Sequence, residues 1–297
     1  MKQNSSPIVR EISCRSAIGK CGFPGGGWAI NPYVGCQHGC VFCYARFIKR
    51  FTKHTEPWGD FVDAKVNIAE VLRKQMGSGR YRKGIIFIGT VTDPYQPPEN
   101  KYRLTRQVLE ALNDFDTEAI AILTRSVLIL RDIDLLKKIK HSGVVEGEVG
   151  FSVVTMNENW RKLAEPNSSP IQARLGAMKK LSDEGIYVYA MMGPYLPYFT
   201  NPEELFAKFK EAGVRQVFTE SLNTVGGNWT GVEEVLKKHY PDILPSIKQT
   251  LFDKQKFAEF YQEAREKVEE LSARYKIPAT IYFAPGHGGK FKAWISV

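Results

Sequence analysis

The sequence predicts an α/β fold built on a mostly parallel sheet, open or closed into a barrel. Three observations carry that expectation. From Gly84 onward, short apolar runs alternate with amphipathic stretches. The runs are apolar throughout rather than at every second position, as strands covered on both faces are. Strand–helix repetition of this kind is what a parallel sheet demands of its connections.

The elements follow in order. The glycine-rich Gly22–Gly27 is a loop ahead of a strand-like WAINPYV, Trp28 to Val34. It lacks the strand-then-helix setting of a phosphate-binding glycine motif. Gly84–Thr90 is a buried strand, Leu104–Asn113 a helix, Glu118–Leu123 a strand, and Asp132–Lys140 a helix. Gly147–Val154 is a strand, Ile171–Glu184 a helix, and Ile186–Met192 a strand; Pro202–Ala212, Gln216–Glu220 and Gly231–His239 continue the alternation. A long charged helix, about Lys254 to Lys276, and a strand, Ala279–Phe283, close the chain. The Glu and Lys/Arg at three- and four-residue spacing on that helix are those of a solvated face.

The 297 residues, 43% hydrophobic and 25% charged, suit a globular enzyme of one domain, residues 1–297. No apolar run reaches the ~18 residues of a membrane span. Met1 to Arg10 has no signal-type apolar stretch, so a cytoplasmic protein without membrane contact is expected. All five cysteines fall in the first 43 residues, whereas a disulfide scaffold spreads them over the chain it staples. The net charge of +9 makes nucleic acid a reasonable partner, although many cytosolic proteins are basic for no specific reason. The densest basic patches are short: Arg80-Tyr81-Arg82-Lys83 and Lys137-Lys138-Ile139-Lys140.

The chemistry concentrates in Asn31-Pro-Tyr-Val-Gly-Cys36-Gln-His-Gly-Cys40-Val-Phe-Cys43-Tyr44, spaced C-x₃-C-x₂-C. Thiolates are soft ligands that suit iron–sulfur clusters or zinc. Structural zinc sites usually close a tetrahedron with two ligand pairs, and no cysteine follows Cys43 to form a second pair. Three ligands leave one iron of a cluster open.

This spacing, with an aromatic residue before the third cysteine, resembles the signature of the radical S-adenosylmethionine (SAM) superfamily. The resemblance implies a 4Fe–4S cluster on Cys36, Cys40 and Cys43, whose open iron binds the amino and carboxylate groups of SAM. It further implies one-electron cleavage of the sulfonium to a 5′-deoxyadenosyl radical that abstracts hydrogen from a substrate. An electron donor such as flavodoxin or ferredoxin is implied as a partner. TDPYQPPE at Thr92–Glu99, LTRS at Leu123–Ser126, FSVVT at Phe151–Thr155, Glu165-Pro166, Ala173–Leu175 and GPYLP at Gly193–Pro197 narrow the resemblance to the spore photolyase-like family, a lyase family of DNA-repair type. The match covers roughly residues 28–223 and implies a partial (α/β)₆ barrel there, with residues 224–297 as a C-terminal extension.

Carried over by that resemblance, Phe42 and Tyr44 flank the cluster on the adenine side of SAM. Thr92 and Asp93 lie where the SAM amino group is received, Arg125 where its carboxylate is met, and Ser152 where its ribose is contacted. Arg174 contacts either SAM or Glu165. Each has a plainer alternative: a turn and Asx cap for Thr92-Asp93-Pro94, an ion pair for Arg125, a backbone or cluster-sulfur hydrogen bond for His38, and a loop position for His287. Tyr187, Tyr189, Tyr195, Tyr198 and Phe199 are core or rim residues by default, or stack on a base. The family's namesake carries a hydrogen-donating cysteine at the end of its second strand. Here Thr90 holds the matching position and Gly89–Asp93 contains no cysteine. The substrate class therefore stays open between a nucleic acid, which leads, and a small metabolite or peptide. A non-catalytic metal-binding nucleic-acid protein is the rival from another class. The oligomeric state is not legible.

Overall fold

A computed structural model describes residues 7–23, 26–81, 83–138, 148–225 and 227–284. Arg82, Ile139, Lys140 and His287, singled out above, lie outside the described residues. The chain divides into two compact units: residues up to Gly39 together with Ala45–Gly150, and Cys40–Tyr44 together with the residues from Phe151 onward.

The first unit opens with β1 (Ile8–Ile12), β2 (Ile18–Lys20), β3 (Trp28–Ile30) and β4 (Tyr33–Val34), then a 3₁₀ helix that begins at Tyr44 and runs to Phe51. β5 (Phe61–Lys65), α1 (Ile68–Met76), β6 (Ile85–Ile88), α2 (Glu99–Tyr102), α3 (Leu104–Asn113), β7 (Ala119–Thr124), a second 3₁₀ helix (Val127–Asp132) and α4 (Ile133–Leu136) follow. β3, β6 and β7 pair in parallel in the order expected of the first barrel strands, and β2 adds antiparallel to β3. A separate three-stranded sheet sets β5 between β1, parallel, and β4, antiparallel. α1 buries Ile68, Leu72 and Met76, and α3 buries Leu104, Val108, Leu109 and Leu112. Both sets recur at three- and four-residue spacing, the mark of a helix with one face inward.

Two expectations are corrected here. WAINPYV is two strands in two sheets, not one. Pro32 has no N–H to continue the ladder, and Asn31 ties the crossover down. Its side chain donates to Thr90 Oγ1 at 2.9 Å and accepts from the Val91 N–H at 3.0 Å. The stretch expected as a helix from Asp132 starts earlier, as the 3₁₀ turn capped by the Ser126 hydroxyl, which accepts from the Leu128 N–H. Among the described residues its α-helical part is Ile133–Leu136. Asp132 is wholly buried and binds Arg106 at 3.0 Å and Arg131 at 2.9 Å, so it anchors the junction.

The second unit contains β8 (Glu148–Ser152, which crosses the unit boundary), α5 (Glu158–Ala164), α6 (Ile171–Asp183), β9 (Tyr187–Tyr195), α7 (Pro202–Glu211), β10 (Gln216–Ser221), α8 (Asn228–His239), α9 (Leu244–Phe252), α10 (Lys254–Tyr275) and β11 (Ala279–Tyr282). β8 neighbours β9, and β10 runs parallel to both β9 and β11. The helix starts are written in the sequence. Asn201 caps α7 by accepting from the Glu203 and Glu204 N–H groups, with Pro202 in the first turn. Asp253 caps α10. The expected charged helix is α10, and its inward face is Phe257, Tyr261, Ala264, Val268 and Leu271.

Candidate functional site

The cysteine loop begins with Gly35, whose φ of +83° is left-handed; a Cβ there would sit 2.5 Å from the Phe61 carbonyl oxygen. Only glycine fits. Thr92 Oγ1 donates to the Gly35 carbonyl at 2.6 Å. Gln96, wholly buried, donates to Thr92 Oγ1 at 2.8 Å and to the Gly35 carbonyl at 3.2 Å, and accepts from the Gln37 N–H at 2.8 Å. Three polar groups of Gly35–Gln37 and Thr92 are thus satisfied by one amide, which matters because a buried polar group left unpaired costs about 1–3 kcal/mol.

Asp93 makes the second attachment. His38 Nε2 lies 3.1 Å from its Oδ2, with both side chains buried. Oδ1 accepts from Thr124 Oγ1 at 2.7 Å and from the Tyr95 N–H at 2.9 Å, and Oδ2 accepts from the Arg125 N–H at 2.8 Å. Burial would by itself push this carboxyl up, but His38 beside it and the hydrogen bonds from Thr124 and Arg125 outweigh burial and hold it below the ordinary carboxylate value. The Asp93 side chain thus forms the Asx turn with Tyr95 and anchors the cysteine loop through His38, within the turn expected to receive the SAM amino group. Arg125 meets Asp93 through its main chain, and its side chain is half-buried.

In the second unit, the Cys43 N–H donates to the Cys40 carbonyl at 3.2 Å, and the Val41 N–H donates to the Ala164 carbonyl at the end of α5, at 2.9 Å. Gly231, inside α8, approaches the same residue: a Cβ there would lie 2.7 Å from the Val41 carbonyl oxygen. Phe42 is buried, and Tyr44 is 41% exposed. Ser152 ends β8 fully buried, and its carbonyl accepts from Arg174 Nη1 at 2.8 Å. Arg174 Nη2 lies 2.6 Å from Glu165, with both side chains buried, and also donates to Ser168 Oγ; Nε donates to the Ser169 carbonyl at 2.8 Å. Of the two partners open for Arg174, the structure realises Glu165.

The cysteines differ in setting. Cys36 and Cys40 are 7% and 6% exposed, while Cys43 is half-buried. Among the described residues no three His, Cys, Asp or Glu groups converge on a point as ligands of one ion do. Cluster thiolates each bind a different iron, so they need not converge. Cys14 is tied by its main chain to the Asn67 side chain at 2.8 and 3.0 Å. Burial pushes the thiols of Cys14 and Cys21 up. Of the aromatics expected as core or rim residues by default, Phe199 packs on Trp160, Tyr189 on Phe218, and Tyr195 against Phe260, Tyr261 and Phe283, while Tyr198 is 65% exposed.

Sequence reasoning missed Gln96 and Gly231. Gln96 stood inside the quoted TDPYQPPE without a role. Gly231 had a usable signal, since an isolated glycine in a helical pattern often marks close packing.

Comparison with known proteins adds the following. The family described as the Radical SAM superfamily matches residues 30–209. An uncharacterized protein of Methanocaldococcus jannaschii is 33% identical over 208 residues, 70% of this chain and 75% of that protein. A radical SAM Nalpha-GlyT isomerase of Pseudomonas phage M6 is 26% identical over 288 residues, 90% of this chain but 56% of that protein. Among solved structures, spore photoproduct lyase with bound AdoMet and dinucleoside spore photoproduct superposes with a TM-score of 0.68 at 15% identity, covering 93% of this chain and 82% of that one. Streptococcus suis SuiB bound to the precursor peptide SuiA gives 0.53 at 16% identity, over 95% of this chain and 50% of that one. These structural likenesses establish the fold, which is the expected partial-barrel type.

Proposed function

The chain belongs to the radical SAM superfamily, and on that footing we propose that it is an enzyme abstracting hydrogen from a nucleic acid. As a member it uses a 4Fe–4S cluster and SAM. The observation that carries the reading is the cysteine loop. Its donors are three thiols within eight residues, a set that suits iron–sulfur ligation, and the main chain of its first part, Gly35–Gln37, is held by the buried side chains of Thr92 and Gln96. Cys36, Cys40 and Cys43 would hold the cluster. Bound together, cluster and SAM supply hydrogen-atom abstraction through one-electron cleavage of a sulfonium.

The remaining work belongs to this chain's residues. Thr92, Asp93 and Gln96 fix the path of Gly35–His38, so the segment that carries Cys36 is set before any ligand arrives, and a pre-set geometry lowers the ordering cost of binding. The Arg125 guanidinium suits a carboxylate, which it can meet through two N–H groups. The Ser152 hydroxyl suits a ribose, and Phe42, between Cys40 and Cys43 in the chain, is buried. A nucleic acid as substrate is supported by the charge of +9 and by the dinucleoside in the similar lyase. The peptide bound by SuiB supports a second reading, a radical SAM enzyme acting on peptides.

The test is anaerobic reconstitution followed by incubation with SAM and oligonucleotides deuterated on base or sugar carbons. Deuterium in the 5′-deoxyadenosine formed is the expected result. Oligonucleotide affinity should also fall steeply with salt, as counterion release requires. Unlabelled 5′-deoxyadenosine with every oligonucleotide, and no binding at low salt, would transfer the reading to a peptide or metabolite. One zinc in place of iron and sulfide would remove the enzymatic reading altogether.

A further inference from the structure

β4 delivers the chain into the cysteine loop, and its own ladder does little to hold it. It consists of Tyr33 and Val34, paired with Ala64 and Asp63 of β5. Pro32 before it has no N–H for the ladder, and the left-handed Gly35 after it ends the extended backbone. Cys36 follows directly. So short a strand resists slippage weakly, and the residues that lead into the first thiol need an anchor outside their own sheet.

Tyr33 supplies that anchor. Its side chain is wholly buried, and its hydroxyl donates to Oε2 of Glu99, on α2 and 66 residues further along the chain. Glu99 is wholly buried too and is gripped from its other side. Oε1 accepts from Arg131 Nη2 at 2.7 Å, Oε2 from the Thr105 N–H at 3.0 Å, and the Glu99 carbonyl from Arg131 Nη1 at 3.1 Å. Burial and the Glu99 charge beside it push the Tyr33 phenol well up, so the proton stays on Tyr33 and the hydroxyl remains the donor. Burial pushes the Glu99 carboxyl up as well, against the bonds from Tyr33, Thr105 and Arg131.

We propose that Glu99 is a positioning residue for Cys36: by holding the Tyr33 hydroxyl it fixes where β4 delivers the first thiol. The inference rests on the function proposed above for the task of that thiol, cluster ligation. Thr92 and Gln96 hold Gly35 and Gln37 by their main chains, and Glu99 holds the same segment from the strand that precedes it. An acceptor backed by a guanidinium makes a stronger and more directional bond than a neutral one, whereas apolar packing alone would let the ring slide. Stability by itself does not call for buried charge here, since apolar residues of similar volume serve it as well or better. Asp132 is the internal comparison. It binds Arg131 and Arg106 in the same buried row, but the Tyr33 hydroxyl bonds to Glu99 and not to it.

The experiment uses the full chain under anaerobic conditions, first free of iron and then reconstituted. Iodoacetamide labelling of Cys36 and Cys40 in the iron-free protein is followed site by site by mass spectrometry. Cys40 belongs to the other compact unit and is the control within each sample. Glu99→Gln and Tyr33→Phe should each speed labelling of Cys36 about tenfold, as loss of a hydrogen bond to a charged group implies, and leave Cys40 unchanged. Both should also slow cluster assembly and broaden the electron paramagnetic resonance signal of the reduced cluster. Asp132→Asn should lower the thermal midpoint and leave Cys36 at its wild-type rate. Tyr33→Phe keeps the ring, so it reports on the hydroxyl even if Glu99→Gln does not fold. Wild-type labelling of Cys36 in Tyr33→Phe overturns the proposal. Equal acceleration of Cys36 and Cys40, or acceleration of Cys36 in Asp132→Asn, also overturns it by making the row a general stabiliser. Selective exposure of Cys36 in a protein that binds zinc or never cleaves SAM would keep the positioning role and remove the proposed function.

Discussion

His38, in the cysteine loop, and Asp93, just beyond β6, meet at 3.1 Å with both side chains buried. That one contact joins the ligand-bearing loop to the turn that was expected to bind SAM, and it changes what a mutation at Asp93 tests.

Asp93→Ala strips the acceptor from Thr124 Oγ1 and from the Tyr95 and Arg125 N–H groups. It is expected to lower both SAM affinity and iron incorporation, and to cost about 2–4 kcal/mol of stability, since buried donors are left unpaired. Iron content equal to wild type with SAM affinity reduced would assign the carboxylate to SAM alone.

Cys36→Ala, Cys40→Ala and Cys43→Ala should each abolish the visible absorbance of the reconstituted protein, while Cys14→Ala/Cys21→Ala should retain it. The two outlying thiols carry a further signature. Burial raises their pKa above the ordinary thiol value, so the reactive thiolate is scarcer than usual at neutral pH. Alkylation of both should be slower than that of a free thiol and keep accelerating as pH rises through and beyond the ordinary thiol pKa. A rate plateau at neutral pH would contradict this.

Arg174→Met separates its two candidate roles. Breaking a buried pair by removing one partner typically costs about 3–5 kcal/mol, and Glu165 would be left buried alone. A large fall in the thermal midpoint is expected before any ligand is added. Unchanged stability together with weakened SAM binding would return Arg174 to the cofactor.

Glycine to alanine inside a helix ordinarily stabilises by about 0.5–1 kcal/mol. Gly231→Ala should reverse that sign, because the added carbon would lie 2.7 Å from the Val41 carbonyl oxygen and a forced shift of packed backbone costs about 1–3 kcal/mol. A raised midpoint in a denaturation scan would show that α8 yields without cost.

The protein should not repair the spore thymine lesion. By the family resemblance Thr90 matches the position of the hydrogen-donating cysteine, and a hydroxyl O–H bond is far too strong for that task. Its Oγ1 accepts a hydrogen bond from Asn31 at 2.9 Å, which marks it as a strand-end tether. Incubating reduced enzyme and SAM with a lesion-bearing oligonucleotide checks this; multiple-turnover release of thymines would refute it and direct attention to Cys14 or Cys21.

Much of this protein was determined by its sequence alone. Apolar runs without alternation marked the parallel strands, and Leu104–Asn113 is a helix with the boundaries expected of it. C-x₃-C-x₂-C named the thiols, because ligand spacing along a chain is local information. What only the tertiary structure decided is non-local. It split WAINPYV between two sheets at Asn31-Pro32, because Asn31 finds its partners some sixty residues away, at Thr90 and Val91. It gave Arg174 to Glu165, brought Asp93 beside His38, and gave Gln96 the task of holding Gly35 and Gln37. A polar residue's motif says what it can bind, but its partner depends on which donors folding brings within about 3 Å of it, and that distance is set by the packing of distant strands and helices.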